Sequence, residues 1–334
     1  MSRSKNNKSL KQQSAEKLDK MMKIGKPGTH IKQQRKQAAR DAGMSVNDYN
    51  RPAIFGYSTL ATYKRQCNYF VTWCKANYPA SERRTIEQCR AYADDYLTYL
   101  IEDKGWSAYS ISTAKAAIAK LYQEPTNNFR DTPSRHRSDI KRSRSTSEYS
   151  KHFSEKKHAD DVSFWRSVGM RRCELLELRG TWLREADGQY YIDIPPGVAK
   201  GGKPRTVEVL NNNPIVVEKC QAAGKDKVFP KISSAANIHG YRSDYAAALY
   251  EKYARPVDEL KGQKTIDKSV TKDKRNTTGT VSAVIHCRGD MAGKSYDRDA
   301  MLHVVQNLGH SRSDISTSNY SHKIHADNGG NDNG

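Results

Sequence analysis

The sequence has no run of about 18 apolar residues, the length a helix needs to cross a bilayer, and its opening MSRSKNNKSLKQQS lacks the apolar stretch of a secretory signal. The expectation is a chain without membrane association that works in the cytoplasm, on the nucleoid if the cell is bacterial. Paired cysteines are also missing. The six cysteines (Cys67, Cys74, Cys89, Cys173, Cys220, Cys287) form no C-x-x-C pair of the kind zinc and redox sites use. They read as buried or inert thiols, with Arg171 and Arg172 beside Cys173 the one local feature that would lower a thiol pKa. No metal and no other cofactor is implied. Acidic residues are scarce as well: 37 Asp and Glu against 57 Lys and Arg leave a net charge of +20. Such an excess favours a polyanionic partner, with nucleic acid the first choice.

A chain of 334 residues suits two domains, each able to bury its own core. Residues 1–50 hold 12 Lys and Arg against 4 Asp and Glu and few large apolar side chains. Segment 1–52 is therefore expected to be a flexible basic arm, with a short helix over Thr29 to Ala42. From Ser58 the pattern changes: Leu60, Tyr63, Tyr69, Phe70, Trp73 and Tyr78 recur at helical spacing, a second run covers Ile86 to Ile101, and Ser110 to Leu121 gives a third stripe. A small all-α domain is placed at 53–128, its aromatic residues serving as core rather than as base-stacking platforms.

Segment 129–150 has a linker composition, in which Arg130, Arg135, Arg137, Lys141, Arg142 and Arg144 are candidates to track DNA phosphates. Beyond Phe153 the helical period returns over Val162 to Leu178, then shortens. Tyr190 to Ile194 and Arg205 to Leu210 alternate as strands do around the turn-rich Gly201-Gly202-Lys203-Pro204, a hairpin that projects lysine. Helix is expected from Asn237 to Glu259, a polar insert from Lys261 to Thr280, helices from Arg288 to Leu308, and a disordered tail from 323 to 334. The second domain occupies 151–322.

Four ordered boxes carry chemistry. Gly169-Met170-Arg171-Arg172-Cys173-Glu174-Leu175-Leu176-Glu177-Leu178 places Glu174 one helical turn from Arg171, where a carboxylate can hold a guanidinium that grips a phosphate. This segment resembles the G-L-R-x-x-E-L-x-x-L box of the tyrosine recombinase (phage integrase) family. Lys200-Gly201-Gly202-Lys203-Pro204-Arg205-Thr206-Val207 is similar to that family's K-G-x-K-x-R-x-V hairpin, and Val304-Val305-Gln306-Asn307-Leu308-Gly309-His310-Ser311 to its V-V-Q-x-L-L-G-H-S signature with one residue fewer. Tyr320 follows His310 by 10 positions, near the family's spacing for its nucleophile. Arg288 precedes His310 by 22 positions, as the family's second arginine would. The family writes H-x-x-R there, whereas this chain has His286-Cys287-Arg288, with Ile285 at the histidine's place.

The resemblance covers about 58–322 and implies an N-terminal all-α (SAM-like) core-binding domain joined to an α+β catalytic domain, mainly helical with a small β-hairpin or sheet. It implies a site-specific recombinase or integrase that cleaves and rejoins DNA through a 3′-phosphotyrosyl link, serving integration or excision of a mobile element. By the same resemblance Arg171, Arg288 and His310 neutralise the non-bridging phosphate oxygens. Tyr320 attacks the phosphorus, Lys200 protonates the leaving 5′ oxygen, and His286 is the candidate to take the tyrosine proton. Glu174 supports Arg171, while Lys203 and Arg205 contact DNA, Lys203 also being the competing candidate for the general acid. The partners implied are double-stranded DNA, four copies of the chain on two duplexes, and DNA-bending or directionality proteins. The alternatives are a type IB topoisomerase-like enzyme, a DNA-binding accessory protein that has lost catalysis, and a basic RNA-binding protein.

Overall fold

A computed structural model describes residues 8–24, 28–43, 53–136, 153–199, 202–268, 278–310, 324 and 327–328. Lys200, Tyr320, Arg137, Lys141, Arg142 and Arg144 lie outside the described residues. The chain divides into two compact units, Met1–Asp139 and Ile140–Gly334.

The first unit is helical: α1 (Leu10–Asp19), α2 (Gly28–Asp41), α3 (Tyr57–Asn77), α4 (Ala93–Glu102) and α5 (Ala108–Tyr122). The stripes read in the sequence form its core. Leu60, Cys67, Phe70, Val71 and Cys74 of α3 face Tyr96, Leu97 and Leu100 of α4 and Ile111, Ala114, Ile118 and Leu121 of α5. Aromatic rings fill this core, with Phe70 and Tyr96 centroids 5.3 Å apart. Tyr69 departs from the expectation and stays 48% exposed. The run over Ile86 to Ile101 is a 3₁₀ turn, Gln88–Tyr92, leading into α4.

The basic arm is corrected at its start. Ser9 caps α1, accepting from the Gln12 N–H at 3.3 Å while Gln12 Oε1 accepts from the Ser9 N–H at 3.0 Å. Leu10, Ser14 and Leu18, spaced by four, are buried with Met21 in the helical core. The Ile54 N–H then donates to the Met21 carbonyl at 2.8 Å, tying the segment to the chain entering α3. A stripe this narrow cannot make a core alone, but it completes a neighbouring one, and an average over 50 residues hides it. Helix α2 matches the expected Thr29 to Ala42 within a residue.

In the second unit, α6 (Ala159–Val168) and α7 (Arg172–Glu177) replace the single helix expected over Val162 to Leu178. The break is Gly169, which closes α6 at φ 52°; a Cβ there would stand 2.1 Å from Cδ1 of Tyr245. Strands β1 (Leu183–Ala186), β2 (Gln189–Ile194) and β3 (Arg205–Glu208) form an antiparallel sheet in that order, with Ile192 opposite Val207 and Ile194 opposite Arg205. The hairpin was legible in the sequence; β1 was not. Helices α8 (Pro214–Ala223), α9 (Ile238–Tyr253) and α10 (Arg298–Asn307) complete the body. Val168, Leu175, Val207, Tyr245, Leu249, Val304 and Leu308 meet in its core.

Between α9 and α10 two expectations change. The polar insert contains a hairpin of β4 (Lys264–Ile266) and β5 (Thr280–Ser282). The stretch from Arg288 to Asp297 is not α-helix: it holds only a 3₁₀ turn, Gly289–Met291, while β6 (Val284–His286) and β7 (Lys294–Asp297) pair, and α10 starts only at Arg298. Asp297 explains the boundary, because its carboxylate caps α10 through the Asp299 N–H at 2.9 Å and accepts from Arg255 Nε at 2.8 Å. The tail is also corrected: Ile324 is buried in the core, and β8 (Asp327–Asn328) pairs with β7. Strand pairing and one buried side chain order what the local composition alone could not.

Leu18→Ala should remove a fully buried side chain between α1 and the rest of its unit and cost about 2–5 kcal/mol. Urea unfolding of the full chain would show it as a lower midpoint for the helical unit; a truly detached arm would leave the midpoint unmoved.

Candidate active site

The site grows from a buried carboxylate. Glu174 is fully enclosed in the second unit and accepts from three directions. The Arg171 N–H and Nη1 reach it at 2.7 and 2.8 Å, and Nη1 and Nη2 of Arg205 reach it at 2.8 and 2.6 Å. Burial pushes the Glu174 carboxyl up, but the Arg205 fork and the Arg171 donors outweigh it and hold it down at about 2. The one-turn spacing of Arg171 and Glu174 thus does what the sequence suggested.

Arg205 does not. Its side chain is 6% exposed, and beyond Glu174 its Nε donates to the Asn307 carbonyl at 2.9 Å. It is a strut between β3, α7 and the end of α10, and the expectation of a DNA contact from Arg205 is corrected accordingly. The strut also accounts for Gly309: at φ 65° a Cβ there would lie 2.8 Å from Cδ of Arg205. His310 follows at once, its N–H donating to the Val305 carbonyl at 2.9 Å.

Beside His310, the Leu308 carbonyl accepts from Nη2 of Arg171 at 3.2 Å and from Nη2 of Arg242 at 2.5 Å. Two guanidinium groups therefore converge on one backbone oxygen two residues before the histidine. Arg242 lies in the first turns of α9 and also donates to the Gly169 carbonyl. The sequence reading passed over it, although a signal was present: His239-Gly240-Tyr241-Arg242 has the H-x-x-R spacing that His286-Cys287-Arg288 lacks. The start of α9 is fixed locally. Asn237 accepts from the Gly240 N–H at 3.0 Å, and a Cβ on Gly240 would stand 2.4 Å from the Asn237 side chain. Arg172 holds the preceding loop by donating to the carbonyls of Ser233 and Ala236 at 2.7 and 2.6 Å. Partial burial and the charge of Arg242 lower the pKa of His239, favouring its neutral ring.

Arg288 and His286 are placed elsewhere. Both are exposed on the β6–β7 hairpin, ahead of the N-terminus of α10, whereas His310 follows its C-terminus. His286 Nδ1 hydrogen-bonds Ser295 Oγ at 2.9 Å, and among the described residues Arg288 meets no carboxylate. Among the described residues neither makes the contact with the Leu308 carbonyl that Arg171 and Arg242 make.

Lys203 is brought in. It is exposed at the foot of β3 and lines a cavity of about 650 Å³ together with Gly309, His310, Gln306 and Glu208. Glu208 anchors the far wall, accepting from Lys252 at 2.6 Å, Tyr253 at 2.8 Å and His303 at 3.0 Å. Burial raises its pKa and these three donors, His303 foremost, bring it down to about 2. Arg135 is exposed in the other unit, its guanidinium 5.8 Å from the Tyr109 ring.

Two outcomes are expected. Gly309→Ala should displace Arg205 and strain the backbone, costing about 1–3 kcal/mol in urea unfolding. Glu174 and Glu208 both titrate in the folded state near 2, below the ordinary 4.5. The stability they contribute is therefore complete above the ordinary value and is lost as pH falls through that window. Unfolding midpoints measured between about pH 6 and pH 3 should fall less steeply for Glu208→Gln than for the parent.

No protein-family model and no curated protein matches the sequence. Solved structures are similar over most of the chain. A Tn1549 transposon integrase, residues 82–397 with circular intermediate DNA, aligns at 11% identity and TM-score 0.42, covering 87% of this chain and 94% of that one. The XerH site-specific recombinase in a post-cleavage complex with its palindromic difH substrate aligns at 14% identity and TM-score 0.46, covering 96% and 87%. The XerA recombinase aligns at 13% identity and TM-score 0.26, covering 90% and 95%.

Proposed function

We propose that the chain is a site-specific DNA recombinase of the tyrosine type, which breaks and rejoins DNA strands through a 3′-phosphotyrosyl link. The observation that carries this reading is the convergence of Arg171 and Arg242 on the Leu308 carbonyl, two residues before His310. A phosphodiester resists attack because its charge repels nucleophiles. Arg171 and His310 neutralise that charge as it grows in the transition state, and Arg242, buried with its donors on the Gly169 and Leu308 carbonyls, holds the backbone beside them. Glu174 and Arg205 hold the array without entering the reaction.

In the proposed reaction the Tyr320 phenol oxygen attacks phosphorus and the bond to the 5′ oxygen breaks. His239, in the role first expected of His286, accepts the phenol proton. Lys200, or Lys203 on the cavity wall, donates a proton to the departing 5′ oxygen. The phosphotyrosyl link conserves the energy of the broken bond, so a 5′ hydroxyl from another duplex reverses the step with no nucleotide consumed. Four copies on two duplexes would carry out the exchange, a reaction suited to integration or excision of a mobile element. The net charge of +20 fits duplex DNA as the partner.

Cells expressing the full chain are denatured rapidly, the protein is purified stringently and the attached DNA is sequenced. The parent should carry DNA from a discrete site and Tyr320→Phe none. Arg242→Ala should lower adduct formation about 10²–10³-fold, and Arg288→Ala should leave it near the parent level. Site-specific adducts in Tyr320→Phe, or equal trace recovery in every variant, would overturn the proposal.

A further inference from the structure

Asn307, the last residue of α10, is a polar side chain in an apolar stripe. Ala300, Met301 and Val304 precede it on the buried face of the helix, and Asn307 itself is 6% exposed. A leucine could be buried there without a partner, whereas a carboxamide taken out of water is tolerated only where its partners stand. Those partners come from three elements. Its Oδ1 accepts from the Glu208 N–H of β3 at 2.7 Å and lies 3.1 Å from the Tyr245 hydroxyl of α9. Its Nδ2 donates to the His303 carbonyl one turn back at 3.0 Å, and its own carbonyl accepts from Arg205 Nε at 2.9 Å.

The contact with Glu208 closes the edge of a sheet. β3 is an outer strand, and the Val209 N–H beyond it turns inward to the Tyr190 carbonyl of β2 at 2.9 Å. Backbone groups alternate in direction along a strand, so the N–H and carbonyl of Glu208 face away from the sheet. Asn307 takes that N–H, and the Tyr245 hydroxyl reaches the carbonyl at 2.9 Å. The end of a helix thus pairs an edge that would otherwise stand open.

The pairing holds in one register. A slip of α10 by one residue would carry its end about 1.5 Å along the axis, turn it by about 100° and part Oδ1 from the strand. The residues that follow are those the proposed reaction uses: Leu308, whose carbonyl receives Arg171 and Arg242, then Gly309 and His310. The N–H groups of Gly309 and His310 donate to the Gln306 and Val305 carbonyls at 3.0 and 2.9 Å, so both residues move with the helix end.

We propose that Asn307 is a positioning residue: its carboxamide pins the end of α10 to the open edge of β3 in one register and thereby sets where His310 stands relative to Arg171. The inference rests on the recombinase reading and adds to it a residue that acts through His310 without touching DNA.

The test uses the full chain and the duplex recovered with the parent in the adduct experiment. Duplex affinity, the rate of Tyr320 adduct formation at saturating duplex and the urea midpoint are measured for the parent, Asn307→Leu, Asn307→Asp and Val216→Ala. Asn307→Leu keeps the volume and removes the pin. Its affinity should match the parent's while the saturated rate falls about 10²-fold, the effect of a displacement of about 1 Å at a reacting group. Asn307→Asp retains the acceptor for the Glu208 N–H and should restore most of that rate. Val216→Ala empties a fully buried position on α8, so it should lower the midpoint and leave the rate unchanged, which separates position from stability. Where Asn307→Leu does not fold, Asn307→Ser, too short to reach the strand, takes its place. A parent-like rate in the variant without the pin, a rate in Asn307→Asp as low as that variant's, or an equal fall in Val216→Ala overturns the inference and leaves the recombinase reading intact. A parent that forms no adduct overturns both.

Discussion

One buried carboxylate organises the second unit. Glu174 has no exposed surface, and a charge so placed is tolerable only when donors surround it. Arg171 from the start of α7 and Arg205 from β3 provide them, and Arg205 carries the constraint onward to the Asn307 carbonyl at the end of α10. Three elements far apart in sequence are thereby fixed to one point. Removing one partner of such an array typically costs about 3–5 kcal/mol, because the remaining charge is left without compensation. The array positions the site more than it adds to net stability.

From that point the residues of the candidate site are set by short distances. Gly309 keeps its positive φ because the Arg205 side chain occupies the space a Cβ would need. The chain then turns His310 toward the cavity lined by Lys203, while the freed Leu308 carbonyl collects Arg171 and Arg242. A second carboxylate, Glu208, does similar work on the far wall through Lys252, Tyr253 and His303. Both acids stay ionised well below neutral pH, so the cations around them remain paired across the physiological range. Arg171 and Arg242 spend their donors mainly on backbone oxygens and on one carboxylate end, which leaves the cluster net positive.

The helical unit follows a different logic. Its stability rests on apolar and aromatic packing between α1, α3, α4 and α5. The two units are each folded around their own core.

By itself the sequence determined the mainly helical class, the stripes of α3, α4 and α5, the β2–β3 hairpin, the Arg171 to Glu174 pair and the Leu308-Gly309-His310 box. Each depends on residues within a few turns of one another, where spacing alone decides which side chains meet. The placement of α1 in the core, the strand β8, the strut made by Arg205 and the meeting of Arg242 with the Leu308 carbonyl were decided only by tertiary structure. Arg242 stands 68 positions before His310, with two hairpins between, and no local period relates them. What joins them is a backbone oxygen that becomes available only once α9 and α10 have packed together.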